Sequence, residues 1–255
     1  MISQTNDVGV FLGGSLFHGD IGHSNAENAA LNAQHVFGFQ LKRNLNYHFG
    51  VSININRGSL FASDANSSDI FKLERNLHFK SKITEIGLIG EFNLRPYMSR
   101  DADYNTSPFI FLGISKFYFN PQAQGNDGTW HNLRPLGTEG QGSDFYPQRA
   151  LYKLNGIAIP FGIGYKINIY EFLTLNINMS WRITFTDYLD DVSTTYVDPS
   201  ILSDLGAELA DQSQNTFKEG FQRGDPNDND KYGFFGITIS YSIKDPQQKC
   251  ENINY

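Results

Sequence analysis

Five charged residues, Glu85, Glu91, Lys166, Arg182 and Lys42, share one kind of position in this chain. Each falls among polar and small side chains in a segment whose alternate positions are apolar. In a strand, alternate side chains point to opposite faces, so these charges would all look toward the wet side of a sheet. Enclosed in a narrow interior, two acids and three bases could relay protons or ions, or they could pair and act as a structural plug. An unpaired buried charge is expensive. Pairing is therefore the expected arrangement, with Glu85, Glu91, Lys166 and Arg182 as its core.

A second constellation is Asp187-Tyr188-Leu189-Asp190-Asp191. Three carboxylates so close together could bind calcium, but the run lacks the alternating ligand loop with a glycine at its bend. The expectation is an acidic rim, Asp187, Tyr188, Asp190 and Asp191, that packs the long loop onto the barrel mouth. Asp64, Asp69, Asp101 and Asp103 are scattered without such spacing. Histidines 18, 23, 35, 48, 78 and 131 show no metal-ligand spacing. No Gly-x-Ser-x-Gly elbow marks a nucleophile. No catalytic residue, metal or cofactor is expected, although a triad assembled from separate strands would leave no local motif.

The elements that would hold these residues are eight alternating stretches. The clearest runs from Leu173 to Thr186. Leu173, Leu175, Ile177, Met179, Trp181, Ile183 and Phe185 lie on one side, and Thr174, Asn176, Asn178, Ser180, Arg182, Thr184 and Thr186 on the other. The remaining strands are expected at Val8–Gly14, Gln34–Arg43, from Phe49 through Asn56, from Glu85 to Leu94, at Pro108–Asn120, from Gly156 to Lys166, and from Phe234 to Ile243. The Pro108–Asn120 stretch is apolar on both faces at its start, which leaves its orientation open. The Gly156–Lys166 stretch carries only small residues and one lysine on one face, which suits a crowded lumen. Pro160 removes a ladder donor and predicts a local distortion. The connections run long, short, long, medium, long, short, long. That alternation is the pattern of an up-and-down membrane barrel with long external loops and short periplasmic turns. Within the longest loop, Ser200–Ala210 reads as a short helix with Ile201, Leu202, Leu205 and Leu209 on one face. That face packs on the barrel's own rim or on a partner protein.

The chain has 255 residues, 40% hydrophobic, 14% aromatic and 18% charged, with 21 Phe and 13 Tyr. Mean hydropathy is −0.38. Membrane barrels share this polar average, because only every second strand residue meets lipid. No apolar run is long enough for a transmembrane helix. The net charge of −7 argues against nucleic-acid binding. One cysteine, Cys250, excludes an internal disulfide; it stays free or pairs with a partner. The first residues lack the basic and apolar regions of an export signal, so a barrel reading expects that signal to have been removed ahead of them.

Several stretches resemble a Bacteroidota family of outer-membrane β-barrels that includes PorG of the type IX secretion system. They are Val8–Ser15 through Gly19-Asp20-Ile21-Gly22, Ile159–Gly164, Trp181–Ser193 continuing to Tyr196-Val-Asp-Pro199, Leu209–Ser213, and Tyr232–Tyr241. The Thr186-Asp-Tyr-Leu-Asp-Asp-Val-Ser193 run is the most specific. The resemblance implies a non-enzymatic accessory barrel that associates with a periplasmic ring of PorK- and PorN-like proteins. In that case partner contacts would lie at the periplasmic end: Arg95, Tyr97, Asp245, Lys249 and Cys250.

The reading is an all-β, eight-stranded antiparallel up-and-down transmembrane barrel over 1–243, with a periplasmic tail over 244–255. It anchors or organises a secretion assembly in the outer membrane. The rival classes are an outer-membrane enzyme and a small pore. Ile157, Ile159, Phe161, Ile163, Leu175, Ile177, Met179, Ile237 and Ile239 are expected to face lipid. Tyr165, Trp181, Phe185 and Tyr241 are expected in the aromatic girdles.

Overall fold

The computed structural model describes residues 5–22, 32–214 and 216–243. Alternation of side-chain character produces long strands: β1 (Thr5–His18), β2 (Gln34–Asn44), β3 (Phe49–Ser63), β4 (His78–Asn93), β5 (Thr106–Gln124), β6 (Trp130–Asn132), β7 (Asn155–Tyr170), β8 (Leu173–Thr184) and β9 (Lys231–Ile243). Consecutive wall strands pair antiparallel, with β5 pairing with β7 past the short β6, β4 with β5, and β1 with β9. These pairings close an eight-stranded barrel, with β6 as a short flap on the end of β5. Closure leaves the eight-stranded wall no open edge, and every wall strand finds its backbone partners within the sheet.

The strands run further than the sequence pattern suggested. β3, β4 and β5 have 15, 16 and 19 residues, whereas about 9–11 tilted residues cross a bilayer. The surplus rises at the long-loop end, so the loop expected over Gly58–Ser81 shrinks to 64–77. In that upper part the inward face turns apolar. Leu60, Phe79, Ile83, Phe117, Phe119, Tyr232 and Phe234 form one buried cluster with Phe17, Leu189 and Val192. Polar residues facing inward continue lower down.

The same fact settles β5. Ile110, Leu112 and Ile114 are exposed outside, while Phe109 and Phe117 are buried inside. Glycines on β7 make room for these rings. Phe111 is paired with Gly162 and Phe117 with Gly156. A Cβ on Gly162 would lie 2.6 Å from Phe111 Cζ, and one on Gly156 would lie 2.7 Å from Phe117 Cζ. At Pro160 the β5–β7 ladder is interrupted between the Leu112–Phe161 and Ser115–Ala158 pairs, and the register is the same on both sides. The proline costs ladder bonds without inserting a residue.

Two short helices decorate the long-loop end: α1 (Ile70–Arg75) and α2 (Asp204–Ala210). The stretch expected as one helix over Ser200–Ala210 is split. A 3-10 turn at Pro199–Ile201 precedes α2, whose N-cap Ser203 accepts from the Gly206 amide. Leu209 packs with Ala123 and Leu133 of the β5–β6 region. Leu209 and the partly buried Leu205 of the stripe therefore pack on the barrel's own rim.

Candidate functional site: a plugged lumen between two closed ends

Two layers of charge cross the lumen. In the upper layer Glu85 accepts from Arg182 Nε at 2.8 Å and Nη2 at 3.1 Å. It also accepts from the Tyr232 hydroxyl at 2.8 Å, Asn56 Nδ2 at 3.1 Å and Ser115 Oγ at 3.4 Å. Arg182 reaches the Ser180 hydroxyl as well, and its guanidinium lies 4.1 Å from the Phe234 ring centre. In the lower layer Glu91 pairs with Lys42 at 2.6 Å and with Lys166. Lys166 Nζ lies over the Phe109 and Tyr97 rings at 4.4 and 4.7 Å. All five charged residues singled out in the sequence meet in these two layers. The cross-strand order that joins positions 85 and 182, or 42, 91 and 166, exists only once the sheet closes.

A cavity of about 60 Å³ lies between the layers, lined among others by Ser52, Asn54, Asn176 and Ser180. Asn54 Oδ1 and Asn176 Oδ1 have no protein partner. A polar hole of this size holds one or a few waters. One ion-paired layer stands on each side of it, Glu85–Arg182 above and Lys42–Glu91–Lys166 below.

The short-turn end is stoppered by the segment after β4. Tyr97, Met98 and Ser99 are buried. The Tyr97 hydroxyl donates to Asn168 Oδ1 at 2.6 Å and contacts Thr174 Oγ1 at 2.8 Å. Ser99 donates to Asp7 at 2.9 Å, and Arg100, at φ 69°, donates to the Ser242 carbonyl. This corrects the assignment of Tyr97 as a partner contact: a ring 1% exposed has no surface to offer. Arg95 is exposed at the same end. Asp245, Lys249 and Cys250 lie outside the described residues.

At the long-loop end the residues expected as an acidic rim pack the loop onto the mouth, and they do so from inside. Asp190 and Asp191 are fully buried and Asp187 nearly so, while Tyr188 stacks on Tyr152 at 4.7 Å. Asp190 accepts from the Ile21 and Val192 amides, each at 3.0 Å. Asp191 accepts from the Tyr152 and Thr138 hydroxyls, each at 2.5 Å. Burial pushes Asp187 and Asp190 up to about 8, with neighbouring carboxylates such as Asp20 adding to it. Burial raises Asp20 and Asp191 to about 6. Asp230 is driven well above the usual carboxylate range by burial and by Asp190 and Asp187.

Around this acidic centre run two buried ion pairs that the sequence did not signal. Arg75 Nε reaches Asp64 at 2.8 Å, and Arg223 Nη1 reaches Glu139 at 2.9 Å. Arg75 also donates to the carbonyls of Arg223 and Asp20, and Arg223 donates to those of Ala210 and Asp191. Each arginine stitches loops far apart in sequence, so no local spacing could have revealed it. Among the described residues, no three His, Cys, Asp or Glu side chains converge to hold a metal ion.

The outer wall completes the picture. All eight wall strands expose large apolar side chains, and Leu112 and Ile163 are 61% and 66% exposed. A belt this continuous far exceeds the apolar patch of a soluble monomer. Aromatic residues stand at the belt's edges. Tyr170, Phe172 and Tyr241 cluster at the short-turn end with ring centres 6.0 and 5.6 Å apart, and Phe185 lies at the other end. The barrel is a transmembrane one. The family model described as a domain of unknown function, DUF6089, matches residues 1–135. The chain belongs to this family. Its fold is similar to that of Ail, the attachment invasion locus protein of Yersinia pestis, at 9% identity and TM-score 0.45, covering 95% of this chain and 100% of that one. Neisserial surface protein A is similar at 7% identity and TM-score 0.45, with 94% and 99% covered. OprG of Pseudomonas aeruginosa is similar at 11% identity and TM-score 0.44, with 95% and 98% covered. No curated protein matches the sequence.

Proposed function

We propose that this chain is a non-enzymatic scaffold barrel of the bacterial outer membrane. In this reading it serves a type IX-like secretion apparatus by anchoring a periplasmic ring of PorK- and PorN-like proteins. The observation that carries the scaffold role is the sealed interior. Two ion-paired layers and the Tyr97 stopper leave no route for solute. Function then falls to the rims and to the lipid-facing wall. The secretion role rests on the resemblance of the Thr186–Ser193 run and its companions to the PorG-containing family. That run forms the buried spine of the external loops, so the likeness reaches into the packing of the mouth. Partner contacts belong at the periplasmic end, with Arg95 on the exposed turn and Asp245, Lys249 and Cys250 in the tail.

The test is affinity purification from outer membranes after mild cross-linking. Ring proteins should accompany the wild-type barrel. Arg95→Glu, or removal of residues 244–255, should deplete them. Recovery of the barrel alone would end the secretion assignment. Steady single-channel conductance in planar bilayers would end the scaffold reading itself.

A further inference from the structure

The mouth of the barrel buries more acid than base. Asp187, Asp190 and Asp230 are each at least nine-tenths buried, and Asp20 is half-buried beside them. They come from two loops: Asp20 follows β1, while Asp187, Asp190 and Asp230 bracket the long β8–β9 connection. The charged and titratable groups that face them are few. α1 contributes Lys72 and Arg75, the turn after β3 contributes Asp64, and the β6–β7 loop contributes Glu139. The β8–β9 loop adds Tyr188, Asp191 and Arg223. The cations are committed elsewhere. Arg75 is paired with Asp64, Arg223 with Glu139, and Lys72 Nζ donates to the Gly22 carbonyl at 3.0 Å. Lys231, at the start of β9, is paired with Asp228.

Two further observations say what the carboxyls hold. Neither Asp187 oxygen has a hydrogen-bond partner at bonding geometry, although the Ser193 hydroxyl partly offsets its charge. Asp230 Oδ1 is likewise unpartnered, while its Oδ2 accepts from the Leu189 amide at 2.8 Å. A buried carboxylate with free oxygens and no counter-ion takes up either a cation or a proton. The convergence of acidic side chains that a metal needs does not occur among the described residues. A proton fits, and it needs no fixed coordination.

We propose that the mouth is a proton-held latch. Asp187, Asp190 and Asp230, with Asp20, lock the β8–β9 loop against residues 19–22 after β1 while they hold protons, and the lock releases as those protons leave. The raised carboxyls bind protons more tightly in the closed mouth than in an opened one. Their contribution is therefore fully present below the ordinary carboxyl range. It declines as pH rises and is gone above about 8, where Asp187 and Asp190 lose their protons. The barrel wall below is not part of the latch, so opening of the loops does not require unfolding.

Hydrogen exchange of residues 187–193, in the full chain held in lipid nanodiscs, tests this. After correction for intrinsic exchange, opening should rise at least about tenfold between roughly pH 6 and pH 8. Asp187→Asn keeps the side-chain shape, can still accept from Ser193, and should flatten that dependence. Asp230→Asn provides a second, independent flattening if the first variant folds poorly. Infrared difference spectra of the wild type should show a protonated-carboxyl band near neutral pH that shrinks in either variant. A flat wild-type profile, or an unchanged slope in both variants, overturns the latch. So does millimolar calcium that closes the mouth at high pH in the wild type but not in Asp187→Asn, because the held species would then be a cation.

Discussion

Replacing Glu85 probes the plug most directly. The carboxylate is 1% exposed and holds Arg182 through two bonds at 2.8 and 3.1 Å. Glu85→Gln keeps the shape and can still accept from Tyr232, but it removes the only acid paired with the Arg182 guanidinium among the described residues. Breaking a buried pair from one side costs about 3–5 kcal/mol, because the surviving charge is stranded. Glu85→Gln combined with Arg182→Met removes both charges, and neutral replacement of a buried pair is close to break-even. The double variant should therefore be more stable than Glu85→Gln alone. The coupling energy should be at least about 2 kcal/mol, the magnitude found for residues in one ionic network. Reversible urea titration of the barrel in lipid vesicles measures it, read through its two tryptophans. The reasoning fails if Glu85→Gln costs less than about 1 kcal/mol. It also fails if the double variant is as unstable as the two single losses added.

The lipid-facing assignment predicts that Ile163→Arg, on a side chain 66% exposed, destabilises the inserted barrel by about 2–4 kcal/mol in the same titration. A soluble surface would tolerate that change. Gly156→Val should cost about 1–3 kcal/mol or more, because its Cβ would sit 2.7 Å from Phe117 Cζ and meets only that ring; adding Phe117→Leu should recover part of the loss. Tyr97→Phe removes a hydroxyl bonded to Asn168 and Thr174 and should cost about 1–3 kcal/mol, with faster hydrogen exchange confined to residues 95–100. Arg223→Met should strand Glu139 and raise proteolytic nicking of the external loops while leaving the heat-modifiable gel shift of the barrel intact.

The barrel was legible because its signal is local. Leu173 through Thr186 announces a strand with a greasy face whatever surrounds it, and alternate long and short connections announce up-and-down order. The charges on the polar faces were legible for the same reason. Their partners were not, since Glu85 and Arg182 are separated by almost a hundred residues and meet only across the closed lumen. Tyr97 was misread as a surface contact because it lies in a polar connection, and loops ordinarily face water; here the segment folds inward and fills the short-turn end of the barrel. The Asp187–Asp191 run does pack the long loop onto the mouth, but its depth of burial depends on residues far away in sequence.

By itself, the order of apolar and polar residues determined the eight wall strands, the direction of every face but that of β5, and the lipid-exposed wall, because a strand's side chains alternate without reference to anything distant. Tertiary structure alone decided which charge meets which, how the lumen is stoppered, and that Asp187, Asp190 and Asp230 share one buried space. Those outcomes depend on closure of the sheet and on loops returning from remote parts of the chain, and neither is encoded in the spacing of neighbours.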